Sequence, residues 1–246
     1  MQPSVPAPLR SEMAPSGVLV AGINYGNPVI VQRDPAGGDP RGVGPELARE
    51  LARRLGVPIR YVTYEIAGKL ADGMRPDGWD VAFLAIDPKR ERDIAFTAPY
   101  VLIEGTYLVR ADSPLARFED FDRKGLRIAV GEGSGYDLFL TRQLKQSELQ
   151  RFATSQTAVD MFLARDLDAA AGVKNLLVTN AQRHPGLRVI DGNFMVISQA
   201  AGVPRGREAS ARYLRDFIEE AKASGFVAEA LRKSGVTDAT VAPAAK

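Results

Sequence analysis

The chain has 246 residues, 45% of them hydrophobic and 25% charged, a balance that excludes disordered and fibrous classes. It has no Cys and one His (His184), which removes disulfides, thiol catalysis, zinc ribbons, iron–sulfur clusters and multi-histidine metal sites together. Lys and Arg total 32 against 30 Asp and Glu, too even a charge to make nucleic acid the expected partner.

At ~150 residues per domain the length fits one to two domains. No run approaches the ~18 apolar residues of a membrane span. The opening MQPSVPAPLRSEMAPSG lacks the apolar centre of a secretory signal. Residues 1–16 and 237–246 share a Pro, Ser and Ala-rich composition and are expected to be flexible tails.

Between them, strand-like and helix-like segments alternate. Val18–Ile23 reads as a buried strand, followed by a polar Gly/Pro-rich loop over 24–44. Pro45 suits a first helical turn, Leu47, Leu51 and Leu55 recur at spacing four, and Gly56 marks the stop. Ile59–Thr63 is a strand. A short helix around Gly68–Met74 leads through the turn RPDG to a third strand, Val81–Ala85. This order predicts a mostly parallel sheet with helices on its faces.

Glu104–Val109 is extended and leaves this first unit. A second alternation follows: strand Arg127–Val130, loop GEGSG, helices Tyr136–Leu144 and Thr157–Ala164, strand Asp168–Ala171, helix Leu176–Arg183 and strand Leu187–Ile190. Met195–Val203 is extended again. The end is helical, with Tyr213, Phe217, Ile218 and Ala221 on one face and Val227 and Leu231 in a last short helix. The expected architecture is α/β and bilobed, one lobe inserted into the other. Lobe 1 spans 17–108 and 200–236, and lobe 2 spans 109–199. Two extended crossovers, near Thr106–Asp112 and Ser198–Val203, join them. A ligand would lie between the lobes, beyond the carboxyl ends of the strands, with hinge closure as the motion. One continuous doubly wound sheet is the alternative, and it leaves the final strand and helices without a place.

Three loops at strand ends carry the interesting polar groups. In the first, Asn24, Tyr25 and Asn27 offer hydrogen bonds and a ring to a small ligand, although N-x-G and N-P are equally turn formers. In the second, Asp87 begins DPKRERD, where Arg90 presents a fork suited to a carboxylate or phosphate; mutual neutralisation of a surface charge cluster is the other reading. In the third, Gly133, Ser134 and Gly135 precede a helix whose N-terminus can receive an anion, with Ser134 adding a hydroxyl or a cap. The spacing is neither a dinucleotide fingerprint nor a Walker loop.

With GVLVAGI, DPRGVGPELARELARRLGV, WDVAF…PKRERDIAFTAPY, YLVRADSPLARFEDFDRKGLRIAVGEGSGYDLFL, LDAAAGV and DFIEEAKASGFVAEALRKSG in order, the chain resembles extracellular solute-binding protein family 3. These are the amino-acid-type binding proteins of ABC transporters, and the likeness runs from about Gly17 to Gly235. It implies a type II periplasmic-binding fold, a small-molecule ligand, an ABC-transporter permease as partner, no cofactor and no metal. The protein is expected to be a monomer, periplasmic if a signal has been removed and cytoplasmic if Met1 is the native start.

The resemblance places Arg90 on the family's carboxylate-clamping arginine, and Gly133–Ser134–Gly135 on the loop that holds the same carboxylate. It also exposes departures. Val173 stands where the family has an acid for the ligand's ammonium, followed by Lys174. Asp87 replaces hydroxyl-bearing residues in a slightly shortened segment, and the first loop keeps Tyr25 as its nearby aromatic. The ligand is therefore an organic anion, or an amino acid whose amine meets Asp87, Glu65 or Glu132 instead. An inward Lys174 would favour a dicarboxylate or keto acid. A dehydratase-like lyase on the same scaffold, with Asp87, Glu65 or Glu104 as its acid or base, is the alternative function; a sensory domain signalling through a separate membrane protein is a third.

Overall fold

The computed structural model describes residues 5–74, 78–237 and 239–245; the turn RPDG lies outside them except for Gly78. The chain runs through α1 (Ala7–Met13), β1 (Leu19–Asn24), α2 (Val43–Leu55), β2 (Ile59–Tyr64), α3 (Ala67–Asp72) and β3 (Val81–Ala85). A 3₁₀ turn at Arg90–Arg92 precedes β4 (Ile94–Phe96) and the long β5 (Val101–Arg110). After a second such turn at Phe118–Phe121 come β6 (Arg127–Gly131), α4 (Gly135–Gln143), β7 (Glu148–Phe152), α5 (Ser155–Ala164), β8 (Ala169–Val173), α6 (Lys174–Arg183) and β9 (Leu187–Val189). The long β10 (Met195–Pro204), α7 (Glu208–Ala223), α8 (Phe226–Lys233) and β11 (Ala239–Val241) complete the described chain.

The strands line up as β2-β1-β3-β10-β5-β8-β6-β7, with β4 added to β10 and β9 and β11 added to β5. Within each half the inner pairs are parallel: β1 with β2 and β3, and β6 with β7 and β8. The halves meet at β5 and β10, paired antiparallel from Met195 opposite Gly105 to Gln199 opposite Val101. Each of these strands serves both halves. Beyond Gln199, β10 pairs with β3; beyond Gly105, β5 pairs with β8. The bilobed α/β arrangement is thus present, and the two expected crossovers are these two strands, longer than their sequence signal.

The first lobe is built by burial on both faces of its sheet. All six residues of β1 are buried, as a central parallel strand requires. At Gly22 a Cβ would sit 2.6 Å from Leu70 and 2.8 Å from Trp79, so the close packing of α3 on β1 depends on glycine. The Trp79 indole N–H donates to the Leu70 carbonyl at 2.8 Å. Leu47, Leu51 and Leu55 of α2 are buried on the other face, and Gly56 ends that helix in the left-handed conformation at φ 67°. Leu214, Phe217 and Ile218 of α7 and Val227 and Leu231 of α8 close the same core, whereas Tyr213 is only half-buried at its edge.

Polar ties fix helix α7 to this layer. Asp80 accepts from the Val20 N–H at 3.0 Å and from the Arg207 guanidinium at 2.8 Å. Glu50 on α2 receives Arg53 at 2.7 Å and Arg54 at 2.8 Å, and Arg54 continues to Glu220 of α7 at 2.7 Å. No described helix is long and apolar enough to cross a membrane.

Three short strands, β4, β7 and β11, carry no clear sequence signal. In β7 (ELQRF) every residue is at least partly exposed, as at a sheet edge, so the apolar run of a buried strand is missing. The expected flexible tails are also corrected. Val5, Met13 and Ala14 are buried in the first lobe's core, and Glu12 accepts from the Ser210 N–H at the start of α7 at 3.1 Å. At the other end β11 pairs with Val101–Ile103 of β5, and Lys222 donates to the Pro243 carbonyl at 2.9 Å. Composition read these ends as loose; the few apolar side chains in them cover gaps that the α7 surface and the β5 edge leave open.

Two outcomes follow for stability. Removing the fully buried Met13 side chain in Met13→Ala should cost about 2–5 kcal/mol, read as a lower urea midpoint; an unchanged midpoint would show that α1 does not pack. Hydrogen bonds from Arg53 and Arg54 hold the Glu50 carboxyl down at about 2 from an ordinary 4.5. Its contribution is therefore complete above the unfolded value and lost as pH falls from about 5 towards 2, so Glu50→Gln should flatten the acid limb of a denaturation profile.

Candidate functional site

The three loops at the carboxyl ends of β1, β3 and β6 converge between the lobes on one cavity of about 40 Å³. In the first loop, Asn24 is buried and its Oδ1 accepts from the Gly26 N–H at 2.9 Å. Asn27 accepts from the Val29 N–H at 3.2 Å. Turn chemistry and the cavity therefore share these residues, since both also line it. Tyr25 is not on the cavity wall. Its ring packs against the core under the Arg33 guanidinium, 4.0 Å from the ring centre, and Arg33 pairs in turn with Glu65.

In the second loop Asp87 is 2% exposed but does not line the cavity. It accepts from the Lys89 N–H at 2.9 Å and from Arg142 of α4 at 2.8 Å, so a lobe 1 carboxylate is tied to a lobe 2 helix. Asp87 thereby shapes the turn that carries Arg90. Arg90 is buried, with one guanidinium nitrogen donating to the Ala85 carbonyl at 2.7 Å and the other to the Gly133 carbonyl at 2.6 Å. Burial pulls its pKa down to about 10, partly opposed by nearby Asp87, so it remains a cation at neutral pH. The surface-cluster reading fails for this residue.

The third loop is a helix start. The Ser134 hydroxyl caps α4, accepting from the Asp137 N–H at 3.1 Å, and Asp137 accepts from the Gly133 N–H at 2.8 Å. Gly133 has φ 63°, and a Cβ there would lie 2.8 Å from the Cα of Gly68 on the facing lobe. Only glycine allows that approach. Ser134 and Gly135 line the cavity, and Gly135 and Tyr136 form the first turn of α4, whose N–H groups a helix cannot satisfy internally. Gly133 itself stands behind them, as the acceptor for Arg90.

Val173, at the end of β8, is 2% exposed and lines the cavity with Phe83, Ala85 and Ile197. Lys174 turns away, pairing with Glu104 at 2.5 Å, so the dicarboxylate or keto-acid reading that an inward lysine would favour loses that cation. Glu65 and Asp87, considered as replacements for the missing acid, are engaged with Arg33 and Arg142 and lie off the cavity wall. Glu132 does reach that wall, as an exposed residue.

Sequence reasoning missed three contributors. Tyr136, Ser155 and Gln199 all line the cavity. The Tyr136 hydroxyl and Ser155 Oγ lie 2.8 Å apart, and Ser155 donates to the Gly26 carbonyl of the facing lobe at 3.0 Å. Thr154 caps α5 in a reciprocal arrangement with Thr157, a T-x-x-T pattern visible in the sequence. Gln199 is a lone carboxamide in the small-residue run of β10, 4% exposed. That incongruity was its only signal. No cluster of three or more His, Cys, Asp or Glu suited to a metal occurs among the described residues.

A cleft of this form, with a buried arginine on one lobe and a capped helix start on the other, has groups that can donate hydrogen bonds to an anion. The sequence profile of the bacterial extracellular solute-binding proteins, family 3, matches residues 19–236. A curated relative, the glutamine-binding protein of Geobacillus stearothermophilus, is 24% identical over 182 residues, 72% of this chain and 69% of that one. Among solved structures, a mutant of ArgBP from T. maritima superposes with a TM-score of 0.79 at 22% identity, over 92% of this chain and 99% of that one. The solute receptor for L-cysteine of Neisseria gonorrhoeae also gives 0.79, at 21% identity and 92% of each chain. These likenesses share the bilobed type II periplasmic-binding fold. With the profile spanning both lobes and every loop of the cleft, the chain belongs to the bacterial extracellular solute-binding proteins, family 3.

Proposed function

We propose that this protein binds a small carboxylate-bearing solute, an amino acid or an organic anion, in the cleft between its lobes and delivers it to the permease of an ABC transporter. The observation that carries the reading is the convergence of Arg90 and the first turn of α4 on one cavity from opposite lobes. A carboxylate placed there would accept from the Arg90 fork and from the helix N–H groups, and those charge-assisted bonds are the strong kind. The names of the relatives, for glutamine and for L-cysteine, support a solute of amino-acid size. Family membership supports a periplasmic working place, and the reading takes the protein to act as a monomer.

Closure about β5 and β10 is the motion this reading needs. A volume of about 40 Å³ holds only a few water molecules, so any amino-acid-sized solute enters by parting the lobes. Among the described residues, hydrogen bonds cross between them from Arg90 to Gly133, from Ser155 to Gly26 and from Arg142 to Asp87, beside the close backbone approach of Gly68 and Gly133. Lobe 1 (17–108 and 200–236) and lobe 2 (109–199) would move as bodies, with Arg90 carried by one and the α4 turn by the other. A solute carboxylate replaces the Gly133 carbonyl as an acceptor for Arg90, joining the lobes through itself. Signalling to a membrane kinase or cyclase would use the same closure, and a pulldown on the native chain separates the two partners.

Arg90→Ala should weaken carboxylate binding by about 2–5 kcal/mol, or roughly 30-fold and upward, in calorimetric titrations, with Arg90→Lys restoring only part of the loss because the fork is gone. Undiminished binding by a folded Arg90→Ala protein would remove the basis of this reading. Gly133→Ala meets Gly68 and should hold the cleft ajar; solution scattering should then show no compaction on adding solute, and affinity should drop by about tenfold, as a ~1–3 kcal/mol backbone penalty implies.

A further inference from the structure

The chemical class of the solute can be read from groups that the cavity leaves without partners. Gln199 is 4% exposed and lines the cavity. Its backbone is paired within the sheet, its carbonyl accepting from the Tyr100 N–H at 2.8 Å, but its side-chain carboxamide makes no hydrogen bond to any described residue. Asn24, 7% exposed, spends its Oδ1 on the Gly26 N–H while its amide N–H groups bond to no described residue. Neither carboxamide is among the polar atoms sealed off without a partner, so both are open to the cavity, where a polar ligand atom can reach them. Two such groups facing one small space mark the place of a polar ligand atom.

The charge inventory decides what that atom is. Of the described residues lining the cavity, only Arg90 and Glu132 are charged at neutral pH, and Glu132 is exposed. Val173 gives the wall only methyl groups, and Asp87 and Glu65 are committed to Arg142 and Arg33. A buried ammonium would find carboxamides and methyl groups but no buried counter-charge, the arrangement that desolvation penalises most. A hydroxyl or carbonyl oxygen carries no such penalty, and a carboxamide can donate to it or accept from it. Gln199, Asn24 and Arg90 line the same cavity, which suits an acid that carries its neutral oxygen close to its carboxylate.

Resting on the carboxylate reading above, we propose that the solute is a 2-hydroxy or 2-oxo monocarboxylate rather than an α-amino acid. Its carboxylate is held by Arg90 and the first turn of α4, and its neutral oxygen by the carboxamides of Gln199 and Asn24. Val173 is the residue that keeps amines out.

The test titrates the full chain calorimetrically with matched sets: pyruvate, L-lactate and L-alanine; 2-oxoisovalerate, 2-hydroxyisovalerate and L-valine; 2-oxobutyrate, 2-hydroxybutyrate and L-2-aminobutyrate. The expected result is that an oxo or hydroxy acid binds about tenfold or more tightly than its amino acid, a difference of about 1.4 kcal/mol. Gln199→Glu should move that ratio about tenfold towards the amino acid, and Gln199→Leu should weaken the oxo and hydroxy acids; thermal melts show whether each variant folds. Equal or tighter binding of the amino acids, lost in Arg90→Ala, would overturn the class while leaving the carboxylate reading standing. An amino-acid preference abolished by Glu132→Gln would overturn it by making the rim glutamate the ammonium partner. If none of the nine compounds binds while glutamine or L-cysteine does, this inference falls and the carboxylate reading stands.

Discussion

Everything in the cleft is organised around one buried guanidinium. Arg90 is held from below by the carbonyl that ends β3 and reaches across the lobes to the carbonyl of Gly133. A buried cation tolerates little freedom, because each lost hydrogen bond leaves charge in a poorly solvating place. The turn from Asp87 to Arg92, the glycine pair Gly68–Gly133 and the cap of α4 are therefore mutually constrained. Asp87 positions the turn and anchors Arg142, Gly133 must adopt a left-handed conformation, and Ser134 must cap the helix that begins one residue later. A change in any of these moves the cation or strands it.

The cleft pairs this cation with an inner wall that has no buried acid. Val173, Phe83, Ala85 and Ile197 make that wall apolar, and Gln199 is the neutral polar group set within it. Charge balance then rests on what enters. Under the proposed reading an anionic solute would complete the site electrostatically, whereas a zwitterion would bring a second charge that no buried acid among the described wall residues answers. The even net charge of the chain conceals this local imbalance, because it is the sum of many surface ion pairs that solvent largely screens.

How far the sequence reveals this differs from element to element. Burial on both faces made β1, β3 and β6 readable as apolar runs, and the Leu47–Leu51–Leu55 spacing announced α2. Arg90 and Gly133–Ser134–Gly135 were accessible through motif and resemblance, and the structure brings them together. Tyr25 and Asp87 were misplaced for a common reason. Sequence shows that a polar or aromatic residue sits at a strand end but not which way its side chain turns, and here partners in Arg33 and Arg142 turn both away from the cavity. Gln199 escaped because a strand shared by two lobes looks, in sequence, like any extended segment. The ends of the chain escaped because docking against α7 and β5 is a property of those surfaces, absent from the composition of the ends themselves.

Both described ends of the chain are seated on the same lobe, α1 against α7 and β11 against β5. Lobe 2, entered through β5 and left through β10, has no free end of its own. Anything attached at either end, whether a tether or a reporter, is carried by lobe 1. A pair of fluorophores fused to the two ends would consequently report on lobe 1 alone, and not on how lobe 2 stands to it. Sensors built on this scaffold need their second label on lobe 2 itself, at an exposed position such as Arg165.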